Sequence, residues 1–206
     1  MERPAPQTNV AVVLFREATL LDFAGPYQVF DEVQGDRLNV YTVAETTQPL
    51  TVEGGMIVVP SYSFEGCPKP DWVVVPGGRG TRDGSFTDAG VRWLKAAAEG
   101  AEVVMSVCTG ALVLGRAGLL DGLEATTHHD FLDVLRQVAP ACRVQEGRRV
   151  VDNGRVVTAA GVTAGIDAAL HVLAKFLGPE LAKEVEAAME YPHFSASAEK
   201  QAGGGG

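Results

Sequence analysis

Cysteine and histidine are both scarce in this chain, with three and four among 206 residues. The cysteines, Cys67, Cys108 and Cys142, are odd in number and nowhere spaced as CxxC, which argues against a disulfide framework or a zinc ribbon. Metal-ligand spacing is missing among the histidines too, since His128 and His129 are adjacent. No apolar run approaches the length of a bilayer span. The opening "MERPAPQTNV" has no basic segment followed by an apolar core, so the expectation is a cytoplasmic protein without a leader. A basic excess is also absent. With a formal net charge of -9 and acids and bases interspersed, neither a nucleic acid nor an anionic membrane is an expected partner.

What is present is a regular alternation. "NVAVVLF" (9–15), "LNVYTVA" (38–44), "DWVVV" (71–75) and "AEVVMSV" (101–107) are short, continuous and rich in β-branched residues, as strands buried on both faces are. Between and after them lie helical patterns. One follows Pro26, which suits a first turn, with Tyr27, Phe30 and Val33 at helical spacing. Others are "DAGVRWLKAAAEG" with Gly100 past its end, "TGALVLGRAGLL", "HDFLDVLRQVA", "VTAGIDAALHVLAKFLG" with Thr163 as its cap, and a last one over 179–190. "LTVEGGMIVVP" reads as a hairpin turning at Gly54-Gly55, and "RRVVDNGRVVTAAG" as one turning at Asn153-Gly154. The pattern predicts one α/β domain over 1–194, a mostly parallel sheet between two helical layers, and a flexible tail over 195–206.

In such sheets ligands bind beyond the carboxyl ends of the strands. Three segments gather there: "LLDFAGP", "PGGRG" and "SVCTG". Cys108 sits where a buried strand turns into a helix, a position that exposes a side chain above the sheet. Gly110 permits the close approach of that turn, and the following helix start is expected to lower the thiol pKa. A small buried core cysteine has the same local pattern, and spacing alone leaves both readings standing. Asp22, a carboxylate among apolar neighbours, is either a helix cap or an acid whose pKa burial raises toward neutrality. The amides of Gly77 and Gly78 are candidate oxyanion donors. "GGRG" lacks the Lys-Ser/Thr of a phosphate loop and the full dinucleotide spacing. Cys67 and Cys142 look like loop thiols, and His171 like an ordinary helix residue.

In order and spacing, "PGG", "SVCTGALVLGRAGLLDG", "ATTH" and "GVTAGID" resemble the ThiJ/PfpI superfamily, the class I glutamine-amidotransferase-like proteins. The resemblance covers nearly the whole chain and implies a flavodoxin-like three-layer sandwich with a nucleophile elbow. Within the superfamily the chain looks most like the isocyanide hydratase branch, because Asp22 and "SVCTG" stand where other branches carry a glutamate and a histidine after the cysteine. That implies Cys108 as nucleophile, Asp22 as proton donor and acceptor, and Thr109 as a supporting hydroxyl. It further implies His128 beside the cysteine, Val162 in an apolar lining, a small-molecule substrate, a homodimer, and no metal or organic cofactor. Hydration of an isonitrile to an N-formamide is the activity implied. Glyoxalase or deglycase chemistry on methylglyoxal, or ligand or redox sensing as in AraC-type regulator domains, are the alternatives. The sensor domains share "CTG", "TTH" and "GVTAGID" but precede a DNA-binding half that this chain is expected to lack. His129 and Tyr27 depart from the hydratase pattern, so the pocket wall is expected to differ there.

Overall fold

A computed structural model describes residues 7–191 except 34 and 36. His193 and the tail expected over 195–206 lie outside the described residues. Eleven strands and six α-helices follow in order along these residues. They are β1 (Thr8–Val13), α1 (Leu20–Asp31), β2 (Leu38–Ala44), β3 (Leu50–Thr51), β4 (Ile57–Val58), β5 (Tyr62–Ser63), β6 (Trp72–Val75), α2 (Asp88–Gly100), β7 (Val103–Val107), α3 (Gly110–Arg116), β8 (Glu124–Ala125), α4 (Leu132–Val138), β9 (Arg143–Val144), β10 (Val150–Asp152), β11 (Val156–Ala159), α5 (Ala164–Leu177) and α6 (Pro179–Ala188).

The main sheet runs β10-β11-β7-β6-β1-β2-β5, parallel throughout except for the β10–β11 hairpin at its edge. Its central strands are buried on both faces. Val10 to Val13 and Val73 to Val75 are all 1% exposed or less, which is why they carry unbroken apolar runs instead of alternation. From β1 the chain moves one way to β2, and from β6 the other way to β7. Right-handed crossovers therefore place α1 on one face and α2 on the opposite one. Helix α5 packs against α1 on the first face, where the Gly25 position meets Ile166. The reversal between β1 and β6 makes the crevice above their carboxyl ends the natural ligand position.

Both expected hairpins form. β3 pairs antiparallel with β4 around Gly54 (φ 81°) and Gly55 (φ 86°), and β10 pairs with β11 around Gly154 (φ 88°). Helix α1 differs from expectation. It begins at Leu20, six residues ahead of Pro26, so the proline lies inside it and withdraws the donor that would pair with the Asp22 carbonyl. That early start puts Asp22 in the first turn of α1. Gly100 is the final residue of α2 and not the one past it. The two-residue strand β5 at the sheet edge had no sequence pattern to announce it.

Candidate active site at the nucleophile elbow

Cys108 follows β7 directly and holds φ at 55°, a left-handed conformation that costs a non-glycine residue about 1–2 kcal/mol. Its surroundings enforce it. The Cys108 N–H donates to the carbonyls of Ala159 (3.2 Å) and Ala160 (2.9 Å), and its own carbonyl accepts the Thr127 hydroxyl at 2.7 Å. Gly110 is required by contact: a Cβ there would lie 2.2 Å from the Val75 carbonyl oxygen and 2.9 Å from that of Pro76. The sulfur-bearing residue is only 6% exposed, so strand, turn and helix close tightly around it.

Asp22 reaches the same place from α1. Its Oδ2 accepts the Gly77 N–H at 2.9 Å, across 55 residues of sequence. Oδ1 is buried and makes no hydrogen bond of good geometry. The Cys108 thiol is nonetheless close enough to pull the Asp22 pKa down. Burial outweighs that pull and the Gly77 bond, and with the Glu53 charge nearby it lifts the carboxyl from 3.8 to about 7.

Burial also pushes the Cys108 thiol up to about 12, assisted by the Asp22 charge. This corrects the expectation of a thiol acidified by the helix start. The amides of Thr109 and Val162 do favour the thiolate, yet α3 has only seven residues and desolvation prevails. Near neutral pH the pair is thus a protonated thiol facing a carboxyl close to half-ionisation.

Gly77 and Gly78 hold other side chains instead of presenting free amides. The Gly77 N–H is taken by Asp22, and the Gly78 N–H donates to Thr109 Oγ1 at 2.9 Å. The Thr109 hydroxyl in turn donates to the Gly78 carbonyl at 3.2 Å. The amides that favour the thiolate are those of Thr109 and Val162, and Val162 is itself left-handed at φ 48°. So Cys108, Asp22, Thr109, Gly77, Gly78 and Val162 converge as one cluster.

His128 lies at its edge. Its ring packs over Gly161, where a Cβ would come within 2.4 Å of Cδ2. Among the described residues no hydrogen bond joins His128 to Cys108; its Nδ1 accepts the Asp130 N–H at 3.3 Å. The His128 and His129 rings stack at 4.3 Å with 26° between their planes. His128, His129 and Asp130 bring three donor atoms within 4.8 Å, but one ion cannot lie in both ring planes unless that stack opens. Tyr27 is partly buried against the core.

Two contributors were not singled out in the sequence. Thr127, within "ATTH", braces the elbow through the Cys108 carbonyl. Glu53, in the hairpin turn, accepts the Thr19 hydroxyl and the Arg79 N–H, both at 2.7 Å, and sets its charge near Asp22. Cys67 and Cys142 are partly buried free thiols away from the cluster, and His171 pairs with Asp152 at 2.8 Å. A cleft of about 270 Å³ with an apolar floor that includes Phe15, Leu50, Phe64 and Phe86 opens near the ends of β1 and β2; neither Cys108 nor Asp22 lines it. The strained backbone and the shifted pKa values coincide at the elbow, which makes it the candidate site.

The model of the DJ-1/PfpI family matches residues 8–175. The chain belongs to the DJ-1/PfpI family. The isonitrile hydratase of Pseudomonas putida is 37% identical over 183 residues, covering 89% of this chain and 78% of that protein. A ThiJ/PfpI family protein from Pseudomonas syringae superposes with a TM-score of 0.84 at 30% identity, over 92% of this chain and 77% of that one. The HTH-type transcriptional regulator GbdR of Pseudomonas aeruginosa is 28% identical over 86% of this chain, which spans 49% of the regulator's length. The fold is therefore that of the DJ-1/PfpI family, with a mostly parallel central sheet. The described residues contain no helix long and apolar enough to cross a membrane.

Proposed function

We propose that this protein hydrates an isonitrile to an N-formamide, with Cys108 as nucleophile and Asp22 as the proton carrier. The observation that carries the reading is the thiol–carboxyl pair: a buried Cys108 that keeps its proton beside an Asp22 whose pKa of about 7 lets it both take and give one. The similarity to the Pseudomonas putida isonitrile hydratase supports the choice of electrophile.

The steps follow from that pair. Ionised Asp22 accepts the thiol proton as sulfur bonds to the terminal isonitrile carbon, and the carboxyl returns this proton to the same carbon, leaving a thioimidate. The Thr109 and Val162 amides stabilise negative charge on sulfur while it forms. Asp22 then takes a proton from water, whose oxygen adds to the thioimidate carbon, and passes that proton to the nitrogen. Breaking the carbon–sulfur bond releases the N-formamide, and the hydroxyl proton returns through Asp22 to restore the thiol. A neutral, weakly hydrogen-bonding electrophile suits a site this dry.

The protein also acts, in this reading, as a single domain and a homodimer in the cytoplasm. Support for self-association comes from the exposed apolar side chains Met56 (50%), Ile57 (68%) and Val59 (64%) on and beside the β3–β4 hairpin. The test is incubation with an aryl isonitrile while formamide absorbance is followed. Turnover by the parent and none by Cys108→Ala is expected; equal turnover by both would sink the proposal. Methylglyoxal consumption in place of isonitrile turnover would favour glyoxalase chemistry. A selective gain of two oxygens at Cys108 under peroxide, with neither substrate consumed, would favour sensing.

A further inference from the structure

The turn joining β11 to α5 holds the elbow: the Ala159 and Ala160 carbonyls leading into it accept the Cys108 N–H at 3.2 and 2.9 Å, and its Val162, whose amide favours the thiolate, is left-handed. A non-glycine residue holds such a conformation only where its neighbours over-determine it. One residue grips both sides of this turn. The Arg149 carbonyl accepts the Ala160 N–H at 2.9 Å, just ahead of Gly161-Val162. The Arg149 guanidinium donates to Thr163 Oγ1 at 3.0 Å, just after it.

The guanidinium is itself anchored. It is ion-paired with Asp167, whose side chain is buried and whose Oδ1 accepts the Tyr191 hydroxyl at 2.9 Å. Asp167 lies four residues beyond Thr163, so helical spacing puts both on one face of α5, and the planar fork of Arg149 spans them. Thr163 occupies the capping position of α5 but makes no capping hydrogen bond; its hydroxyl serves Arg149 instead. The sequence expectation had the position right and the role wrong.

We propose that Arg149, through Thr163, is a positioning residue that holds the Ala160–Thr163 turn against the Cys108 elbow and so sets how well its sulfur is stabilised as thiolate. This rests on Cys108 being the nucleophile of the proposed reaction. Removing Arg149 would leave the Asp167 charge buried without its partner and unsettle the fold, so the informative change is at Thr163. Thr163→Val deletes only the oxygen that the guanidinium holds, and Thr163→Ser restores it.

The experiment uses the full chain with Cys67 and Cys142 replaced by serine, so that Cys108 is the sole thiol. Its rate of alkylation by iodoacetamide at pH 8 reports how well the sulfur is stabilised as thiolate. Thr163→Val is expected to slow alkylation about fivefold, the worth of one well-placed hydrogen bond, with an unchanged melting temperature. For isonitrile hydration kcat should fall by a similar factor while KM stays constant. Thr163→Ser should recover both. Alkylation of Thr163→Val at the parental rate or faster, or no recovery in Thr163→Ser, overturns the clamp. Slowed alkylation with serine rescue, in a protein whose parent turns over no isonitrile, leaves the clamp standing and removes the substrate assignment instead.

Discussion

Replacing Asp22 with asparagine should make the protein more stable at alkaline pH while abolishing the proposed hydration. In the unfolded chain this carboxyl titrates near 3.8, and in the folded protein near 7, because burial penalises its charged form. Between those values the folded state holds more protons than the unfolded one, so stability present below pH 3.8 is lost as pH rises through about 7. A difference of that size corresponds to a loss on the order of 4 kcal/mol by pH 8. Asparagine does not titrate, and its Oδ1 can still accept the Gly77 N–H. Its NH2 would take the place of an oxygen that has no hydrogen bond, leaving a buried donor unmet at a cost of about 1–3 kcal/mol. The two terms leave Asp22→Asn ahead by about 2 kcal/mol at pH 8, and behind by a similar amount at pH 4. Guanidinium chloride unfolding of both proteins at a series of pH values measures this, since titrations not coupled to Asp22 cancel in the difference. A difference that stays flat from pH 4 to pH 9 would refute the assignment of a raised pKa to Asp22.

Three further outcomes are expected. Glu53→Gln removes a negative charge near Asp22 and should move the pH midpoint of that stability difference, and of the ionisation governing kcat/KM, to lower pH. Gly77→Ala sets a Cβ 2.5 Å from the Thr109 nitrogen and 2.8 Å from Asp22 Oδ2. With a crowding cost of about 1–3 kcal/mol and displaced reacting groups, it should still fold but lose roughly a hundredfold in kcat, as read by thermal melting and initial rates. Thr127→Val takes the hydroxyl from the Cys108 carbonyl and should cost about 1–3 kcal/mol in denaturant unfolding. Because the strained elbow loses a brace, it should also slow Cys108 alkylation.

Much of the framework was legible in the chain because parallel strands buried on both faces are written as apolar runs, as Val10 to Val13 of β1, all of β6 and most of β7 are, with β2 interrupted by Asn39 and Thr42 where it is less buried. The hairpins were legible because Gly54-Gly55 and Asn153-Gly154 are turn chemistry. The start of α1 was not. Its capping residue, Thr19, spends its hydroxyl on Glu53 and makes no cap, so the most conspicuous helix signal left was Pro26, a turn and a half too late. The bracing of the elbow was equally hidden. Thr127 and Arg149 act through partners 19 and 14 residues away, Cys108 and Thr163, at spacings no local pattern encodes.

The state of the thiol shows what sequence reading has to leave open. A helix start after Cys108 is visible in "CTGALVLG", and its field favours the thiolate, but a helix terminus contributes only about 0.3–1 kcal/mol. How deeply the sulfur is buried depends on α1, the Pro76-Gly77 turn and the β11–α5 turn closing over it, and those arrive from three other parts of the chain. Burial wins, and the thiol stays protonated with the Asp22 carboxyl beside it. As the nucleophile of the proposed reaction, a thiol stored this way gains nothing from a preformed thiolate. It does suit a neutral electrophile that must receive a proton as it is attacked, because the proton leaving sulfur is the one its carbon needs. The same burial that raises both pKa values therefore argues for a reaction in which Asp22 relays one proton, over one in which Cys108 waits as an anion.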